Sequence, residues 1–219
     1  MTLTIGLTSD FICPWCWVAE ARLHRAIEQL PSIEIHQVWY PFELNPDMPE
    51  AGMDRKTYRS NKFGSWDYSQ QLDAKTIQAT QADGIEFRYD LMKLTPNTLK
   101  AHRLTWLADK SGKATEMVRR IFRAYFSEGQ DIGDVETLAS LAAETGLDAE
   151  QAQAYLLSNT GTHAIRELEL QAAAQNVHSV PTIRIGNETL SGAQPIDVLV
   201  AALQKAAHEL KRANSKSHV

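Results

Sequence analysis

Residues 3–16 read LTIGLTSDFICPWC, an alternating stretch that runs directly into a Cys-x-x-Cys motif. Apolar and polar or small residues alternate over the first half, which is the period-two pattern of a half-buried β-strand. Pro14 suits the first position of a helix, because the N–H that proline lacks would be unpaired there anyway. The stretch therefore predicts a strand that leads into a helix carrying Cys13 and Cys16.

The next 25 residues complete a strand–helix–strand unit. Apolar residues recur at helical spacing over 19–30, and Pro31 ends the pattern. Residues 33–39 then read as a second strand. Strand, helix and strand of these lengths predict a βαβ unit with a right-handed crossover.

The C-terminal part supplies a matching ββα unit. Residues 182–185 and 188–190 flank Gly186-Asn187, which is a strong signal for a two-residue hairpin turn. Pro195 then opens a segment whose apolar residues form one stripe, as expected for an amphipathic helix packed on a sheet.

The middle of the chain has a different character. Residues 41–49 contain three prolines and suit a linker. From about residue 54 to 175 the apolar residues recur at helical spacing, and strand signals are almost absent. The clearest helical segments are 99–108, 117–126, 134–144, 148–157 and 162–175. We predict an α/β domain split between residues 1–50 and 176–219, interrupted by an all-helical insertion over 51–175.

Composition narrows the functional classes. A net charge of −5 over 219 residues argues against a nucleic-acid-binding surface, which would be basic. No apolar run approaches the ~20 residues of a membrane helix. The first ten residues lack the basic region and apolar core of a secretory signal, so we expect a cytoplasmic protein without membrane contact. Structural disulfides are rare there, and a single Cys-x-x-Cys pair then indicates redox chemistry or half of a metal site.

Redox chemistry explains the cysteine pair best. The attacking species in disulfide exchange is a thiolate, and the unpaired N–H groups of a helix N-terminus lower the pKa of a cysteine beside them. Cys13 is therefore the expected nucleophile, and Cys16, one turn further in, is the resolving thiol. A zinc site would need two further ligands from histidines, none of which has metal-like spacing, so we expect no metal. Two inert core cysteines are the other alternative.

Val180-Pro181-Thr182 is the second motif, since a proline that opens a strand can be cis. Together with the strand and CPWC it resembles the thioredoxin fold, and the helical insertion makes the chain resemble the DsbA family. Further stretches resemble the cytoplasmic FrnE-like branch of that family: PFELNP at 41–46, NT at 97–98, AHRL at 101–104, AYFSEG at 124–129 and SGAQP at 191–195. The resemblance implies that Cys13 and Cys16 are the redox pair and that Pro181 is a cis proline facing them.

The resemblance also implies an activity. It predicts a thiol–disulfide oxidoreductase or isomerase acting on protein thiols and disulfides or on low-molecular-weight thiols. No bound cofactor is expected, although glutathione could serve as a co-substrate. Pro14, Trp15 and Val180 should border the substrate, with the Val180 backbone offered to an extended peptide or to glutathione.

Two rival functions stay open. One is a glutathione-dependent transferase or isomerase on the same fold, similar to kappa-type glutathione transferases and 2-hydroxychromene-2-carboxylate isomerases, although some such relatives have serine where Cys13 stands. The other is a non-catalytic, chaperone-like protein that uses the insertion. Periplasmic DsbA relatives commonly carry a histidine at the position of Trp15, so we expect a less oxidising couple here. The sequence leaves the oligomeric state open.

Several polar residues near these motifs have two interpretations. Asp10 either bonds the backbone N–H groups of the turn or acts on Cys13, as a proton relay or by raising its pKa through its charge, and the structural role is favoured. His102 and Arg103 are expected as a pair on a helix surface, with glutathione or carboxylate binding as the alternative. Glu43 and Asn45 are expected to shape the linker.

Three tryptophans have different expected positions. Trp17 and Trp39 should fill core, whereas Trp15 should face solvent beside the cysteines.

Overall fold

The computed structural model describes residues 2–216, with side chains described to residue 213. Its strands are β1 (Thr2–Ser9), β2 (Glu34–Pro41), β3 (Met53–Asp54), β4 (Leu94–Thr95), β5 (Thr182–Ile185) and β6 (Glu188–Ser191). Its helices are α1 (Pro14–Glu28), α2 (Arg55–Phe63), α3 (Trp66–Ala79), α4 (Leu99–Asp109), α5 (Ala114–Phe126), α6 (Val135–Glu144), α7 (Ala149–Leu157), α8 (Thr162–Ala174) and α9 (Ile196–Lys216), with a 3₁₀ turn at Gln81–Asp83.

Both ends of the chain build one four-stranded sheet, in the order β2-β1-β5-β6. β1 pairs with β2 in parallel along its whole length, and β5 pairs with β1 in antiparallel fashion. The hairpin between β5 and β6 turns on two residues, as predicted, and Gly186 adopts the left-handed φ of +58°. The predicted βαβ and ββα units therefore share a sheet whose central strand, β1, leads into the cysteine motif.

Two apolar cores meet at α1. The first lies between the sheet and helices α1 and α9, and includes Leu7, Leu23 and Leu203. The second is formed by the insertion helices together with the N-terminal end of α1, where Trp17 packs against Phe126 with ring centroids 5.7 Å apart. The cysteine-bearing end of α1 is thus enclosed by the insertion.

Aspartate caps fix the starts of several insertion helices. The side chains of Asp134 and Asp148 accept hydrogen bonds from the backbone N–H groups of Thr137 and Gln151, at 2.8 and 2.9 Å. Such caps satisfy N–H groups that have no partner inside the helix. The predicted segments beginning at 134 and 148 are confirmed as helices, with these aspartates as the capping residues.

The insertion is helical apart from a small ladder between β3 and β4, which the sequence analysis did not predict. Helices α2 and α3 were likewise not among the segments predicted from the sequence. Their buried positions are polar, namely Arg55 in α2 and Ser69, Asp73 and Thr76 in α3, so no apolar stripe marks them. The proposed boundaries of the split domain, at 50/51 and 175/176, stay a prediction.

Within the described range, no helix combines the length and the apolar character that a bilayer-spanning segment requires.

Candidate active site

Cys13 is the N-cap of α1 and has an extended backbone conformation, with φ −92° and ψ 111°. Its N–H donates to the Asp10 carbonyl at 3.1 Å, and the Cys16 N–H donates to the Cys13 carbonyl at 3.0 Å. Pro14 occupies the first helical position, as predicted. The Cys13 side chain makes no capping hydrogen bond, but the backbone N–H groups of Trp15 and Cys16 lie close enough to its sulfur to lower its pKa.

Exposure distinguishes the residues of the motif. Cys16 is 0% exposed and Cys13 is 8% exposed, and both are free thiols in this structure. Trp15, between them, is 38% exposed, as predicted. Cys13 is therefore the sulfur nearer the surface, next to exposed Trp15, whereas Cys16 has no exposed surface.

The pKa values of the two thiols are shifted in opposite directions. The pKa of Cys13 is lowered, chiefly because the Cys16 thiol donates a hydrogen bond to it, with help from the backbone N–H groups of Cys16 and Trp15. Burial and the negative charge of Asp10 oppose this lowering. Burial raises the pKa of Cys16 well above its ordinary value, and the hydrogen bond to Cys13 raises it further. Cys13 is thus the thiol that ionises first, and the Cys16 thiol can donate a hydrogen bond to the thiolate that forms.

The Val180–Pro181 segment lies against the cysteines. The Val180–Pro181 peptide bond is cis, and the Val180 carbonyl oxygen lies 4.0 Å from Cys13 Sγ. The Pro181 carbonyl accepts a hydrogen bond from the Gly192 N–H at 2.8 Å, which ties this segment to the end of β6. The fold therefore brings together residues that are 167 positions apart in the chain.

Asp10 is fully buried beneath the motif. Its Oδ2 accepts a 2.7 Å hydrogen bond from the Leu44 N–H, which joins the cysteine loop to the linker after β2. Its Oδ1 lies 3.6 Å from His102 Nε2, and neither atom has a hydrogen-bond partner. Asp10 thus has a structural role, although its side chain bonds the linker at Leu44 and not the turn, and its charge raises the pKa of both cysteines.

The expectation that His102 and Arg103 form a helix-surface pair is wrong. Both are buried, at 5% and 4% exposure, because α4 packs against several other insertion helices. His102 lies against Phe11, with ring centroids 4.9 Å apart. The Arg103 guanidinium donates to backbone carbonyls at the end of α7 and just after it: Tyr155 (2.8 Å), Leu156 (3.3 Å), Ser158 (2.7 Å) and Thr160 (2.9 Å). Arg103 therefore closes the C-terminus of α7.

The linker residues are also held by specific partners. Glu43 is buried and forms an ion pair with Arg166 of α8. Burial raises the pKa of the Glu43 carboxyl to about 6. The Asn45 side-chain oxygen accepts a 2.8 Å hydrogen bond from the Tyr58 hydroxyl of α2. Both contacts fit the expected role in shaping the linker.

Trp17 is core, as predicted, and half-buried Trp39 donates to Thr115 Oγ1 at 3.0 Å.

A cavity of about 420 Å³ opens beside Cys13, between the cysteine loop and helices α2 and α3. Pro14 and Trp15 border it, and so does a set of charged and aromatic residues that the sequence analysis missed. That set is Arg55, Tyr58, Arg59, Lys62, Phe63, Asp73, Lys75 and Tyr89. No apolar pattern marks these positions, so only the fold shows that they lie beside Cys13. Among the described residues, no group of three His, Cys, Asp or Glu side chains could hold a metal ion.

A family profile covers most of the chain, including both cysteines and Pro181. The profile of the DSBA-like thioredoxin domain matches residues 4–204. The chain belongs to the DSBA-like thioredoxin domain family. The DsbA-family membership predicted from the sequence is therefore confirmed, while the narrower FrnE-like assignment stays a prediction.

Relatives agree with this DSBA-like assignment. The uncharacterized protein YwbO of Bacillus subtilis (strain 168) is 31% identical over 204 residues, which are 93% of this chain and 96% of YwbO. A solved structure of a "probable DsbA oxidoreductase" from Streptomyces coelicolor is 28% identical, covers 94% of this chain and 91% of its own, and has a TM-score of 0.85. The predicted α/β thioredoxin fold with a helical insertion is thus confirmed.

A more distant structure shares the fold alone. The cytosolic disulfide reductase DsbM from Pseudomonas aeruginosa, solved with GSH, is 17% identical. The match covers 97% of this chain and 100% of DsbM, with a TM-score of 0.62.

Proposed function

We propose that this DSBA-like protein catalyses thiol–disulfide exchange through Cys13 and Cys16. The observation that carries the proposal is the placement of the pair, with Cys13 at the start of α1 beside the Val180 carbonyl and Cys16 fully buried behind it. The pKa of Cys13 is lowered by the Cys16 thiol and the first-turn N–H groups, whereas burial raises the pKa of Cys16. One sulfur is thereby suited to attack a substrate, and the other stays protonated until it is needed.

The reaction has two exchange steps. The Cys13 thiolate attacks one sulfur of a substrate disulfide, so a mixed disulfide forms and the first substrate thiolate leaves. Cys16 then attacks the Cys13 sulfur and gives up its proton to the departing substrate sulfur. The Cys13–Cys16 disulfide forms, and the substrate has received two electrons as two thiols. The reverse sequence oxidises a dithiol substrate.

Protein thiols and disulfides, or glutathione, are the proposed partners. The Val180 carbonyl beside Cys13 offers a backbone acceptor to an extended peptide or to glutathione. Pro14 and Trp15 give the approach an apolar border. The glutathione bound to the DsbM relative supports glutathione as a co-substrate. The cytoplasmic location stays a prediction, to which the cytosolic DsbM adds support.

The groups around Cys13 favour the reducing direction of the exchange. Trp15 contributes no positive charge between the cysteines, and the Asp10 charge disfavours the Cys13 thiolate. A less stabilised thiolate makes the couple less oxidising than that of DsbA, whose cysteine has a pKa of about 3.5. In a glutathione-buffered compartment the pair would be mostly reduced, which suits a reductase or isomerase.

A glutathione-dependent transferase or isomerase is the second candidate. The cavity beside Cys13 and the glutathione-bound DsbM relative favour it. Cys13 would then activate the glutathione sulfur toward a small electrophile or an aromatic acid held in the cavity. Turnover of such a compound that requires glutathione and survives loss of Cys16 would support this candidate over disulfide exchange.

Cysteine substitution tests the proposed exchange. Cys16→Ser should accumulate mixed disulfides on Cys13, because the resolving thiol is missing, and Cys13→Ser should form none and lose activity. Intact-mass analysis after incubation with oxidised glutathione distinguishes the two variants. Full turnover by the Cys16→Ser protein without any trapped adduct would show that the roles assigned to the two thiols are wrong.

A further inference from the structure

The cavity beside Cys13 has the dimensions of a small-molecule site. Its volume of about 420 Å³ falls in the range of about 300–1,000 Å³ that is typical of ligand pockets. The loop around Cys13 forms one side, and helices α2 and α3 form the other. Phe63, Leu72, Met92 and Phe126 supply apolar surface. A compact molecule with an apolar body can therefore place a sulfur at Cys13 while the rest of it is enclosed.

The charge of the cavity is opposite to that of the whole chain. Four cationic side chains line it, Arg55, Arg59, Lys62 and Lys75, and Asp73 is its one carboxylate. Together these five side chains carry a net charge of plus three, or plus two once Cys13 is ionised, on a protein with a net charge of −5. Such a local reversal of sign favours a negatively charged ligand.

Asp73 neutralises only part of this charge, and it holds the arginines in place. Its two oxygens each accept a 2.7 Å hydrogen bond, one from Arg55 and one from Arg59. The Arg55 guanidinium also lies 5.5 and 5.2 Å from the ring centroids of Trp66 and Tyr89. One carboxylate thus fixes two guanidinium groups, and a positive charge remains on a wall whose geometry is set before any ligand binds.

The two lysines have no carboxylate partner among the described residues. Lys62 Nζ donates to the Tyr58 hydroxyl at 2.7 Å, which is a neutral acceptor. Lys75 lines the same cavity from α3. Both lysines are exposed at the edge of the cavity, so their long side chains can turn toward an anionic group on a ligand, with the modest attraction of a solvent-exposed pair.

We infer that this cavity selects a compact disulfide with an apolar body and an anionic group, such as a carboxylate, in preference to the uncharged equivalent. The inference rests on the exchange proposed above and names its substrate class. The anionic group lies at the Lys62–Lys75 side of the cavity while one substrate sulfur meets Cys13. The Cys13 thiolate attacks that sulfur, Cys16 closes the Cys13–Cys16 disulfide, and two substrate thiols leave with the two electrons.

A matched pair of small disulfides tests the inference in one turnover. The reduced protein is mixed separately with 4,4′-dithiodibenzoate and with the neutral 4,4′-dithiobis(benzamide), and release of the aryl thiol is followed. Dividing each rate by the rate of the same disulfide with 2-mercaptoethanol removes the intrinsic difference in reactivity. We expect the corrected rate to be about tenfold higher for the carboxylate, equivalent to about 1.4 kcal/mol. The preference should shrink as salt is added, because salt screens the charges.

Charge substitutions assign the preference to the cavity. Lys62→Gln combined with Lys75→Gln should reduce the corrected rate ratio toward one. Lys56→Gln is the matched control, because this exposed lysine is on α2 but does not line the cavity, and it should leave the ratio unchanged.

The possible outcomes separate the two proposals. Equal corrected rates for both disulfides would overturn the inference and leave the exchange intact. A preference that persists in the Lys62→Gln/Lys75→Gln protein would also overturn it, since the cavity charge would not be its cause. Failure of both disulfides to oxidise the Cys13–Cys16 pair would instead contradict the proposed exchange itself.

Discussion

Replacing Asp10 separates its structural role from its electrostatic one. The buried carboxylate accepts a 2.7 Å hydrogen bond from the Leu44 N–H, and Asp10→Ala leaves that N–H without a partner. Loss of a buried hydrogen bond to a charged group costs about 1.5–3 kcal/mol. For a chain of this length each kcal/mol lowers Tm by about 2–4 °C, so we expect Asp10→Ala to melt about 3–12 °C lower.

Asp10→Asn keeps an oxygen that can accept the Leu44 N–H, and it removes the negative charge. Because that charge raises the pKa of both Cys13 and Cys16, the Asn variant should have a Cys13 pKa below that of the unmodified protein. It should lose less stability than the Ala variant. Thiolate absorbance at about 240 nm, followed against pH, reports the Cys13 pKa.

Each Asp10 variant has a result that would contradict its expected effect. An unchanged or higher Cys13 pKa in Asp10→Asn would refute the claim that the Asp10 charge acts on the thiolate. An unchanged Tm in Asp10→Ala would show that the contact with Leu44 contributes nothing to stability.

Two further predictions concern the supports of the site. Burial raises the pKa of Glu43 from 4.5 to about 6, so its contribution to stability is fully present below pH 4.5 and is lost as the pH rises through about 6. Between about pH 4 and pH 7, the unfolding free energy of the unmodified protein should therefore fall by about 2 kcal/mol more than that of Glu43→Gln, measured by urea titration. Parallel pH profiles of the two proteins would contradict this. Arg103→Met should lower the unfolding free energy by at least about 3 kcal/mol, because several carbonyls at the end of α7 lose their donor. An Arg88→Met control at an exposed ion pair should leave it nearly unchanged, and equal losses in the two variants would refute the capping role of Arg103.

The parts of the fold that could be predicted from the sequence are those with a strong local signal. Alternation marks β1, a two-residue turn marks the β5–β6 hairpin, and an apolar stripe marks α9. The cysteine motif could be placed at a helix start because Pro14 is characteristic of that position. Each of these signals lies within about 20 neighbouring residues.

The parts that could not be predicted depend on contacts between distant residues. Arg103 looks like a surface residue in sequence, yet it is buried because its acceptors lie more than 50 positions away. The cavity has the same origin, since Arg55 and Asp73 pair across α2 and α3, neither of which has an apolar stripe. The sequence analysis also attributed the acidity of Cys13 mainly to the helix N-terminus, whereas the Cys16 thiol is the largest cause.

A redox titration of the Cys13–Cys16 couple tests the central claim most directly. The protein is equilibrated with glutathione buffers of graded ratio, and the fraction of free thiols is measured by alkylation and mass. We expect a single two-electron transition with a potential between those of thioredoxin, about −270 mV, and DsbA, about −120 mV. Absence of any transition would contradict the proposed exchange, and a potential at or above that of DsbA would contradict the assigned balance of charges around Cys13.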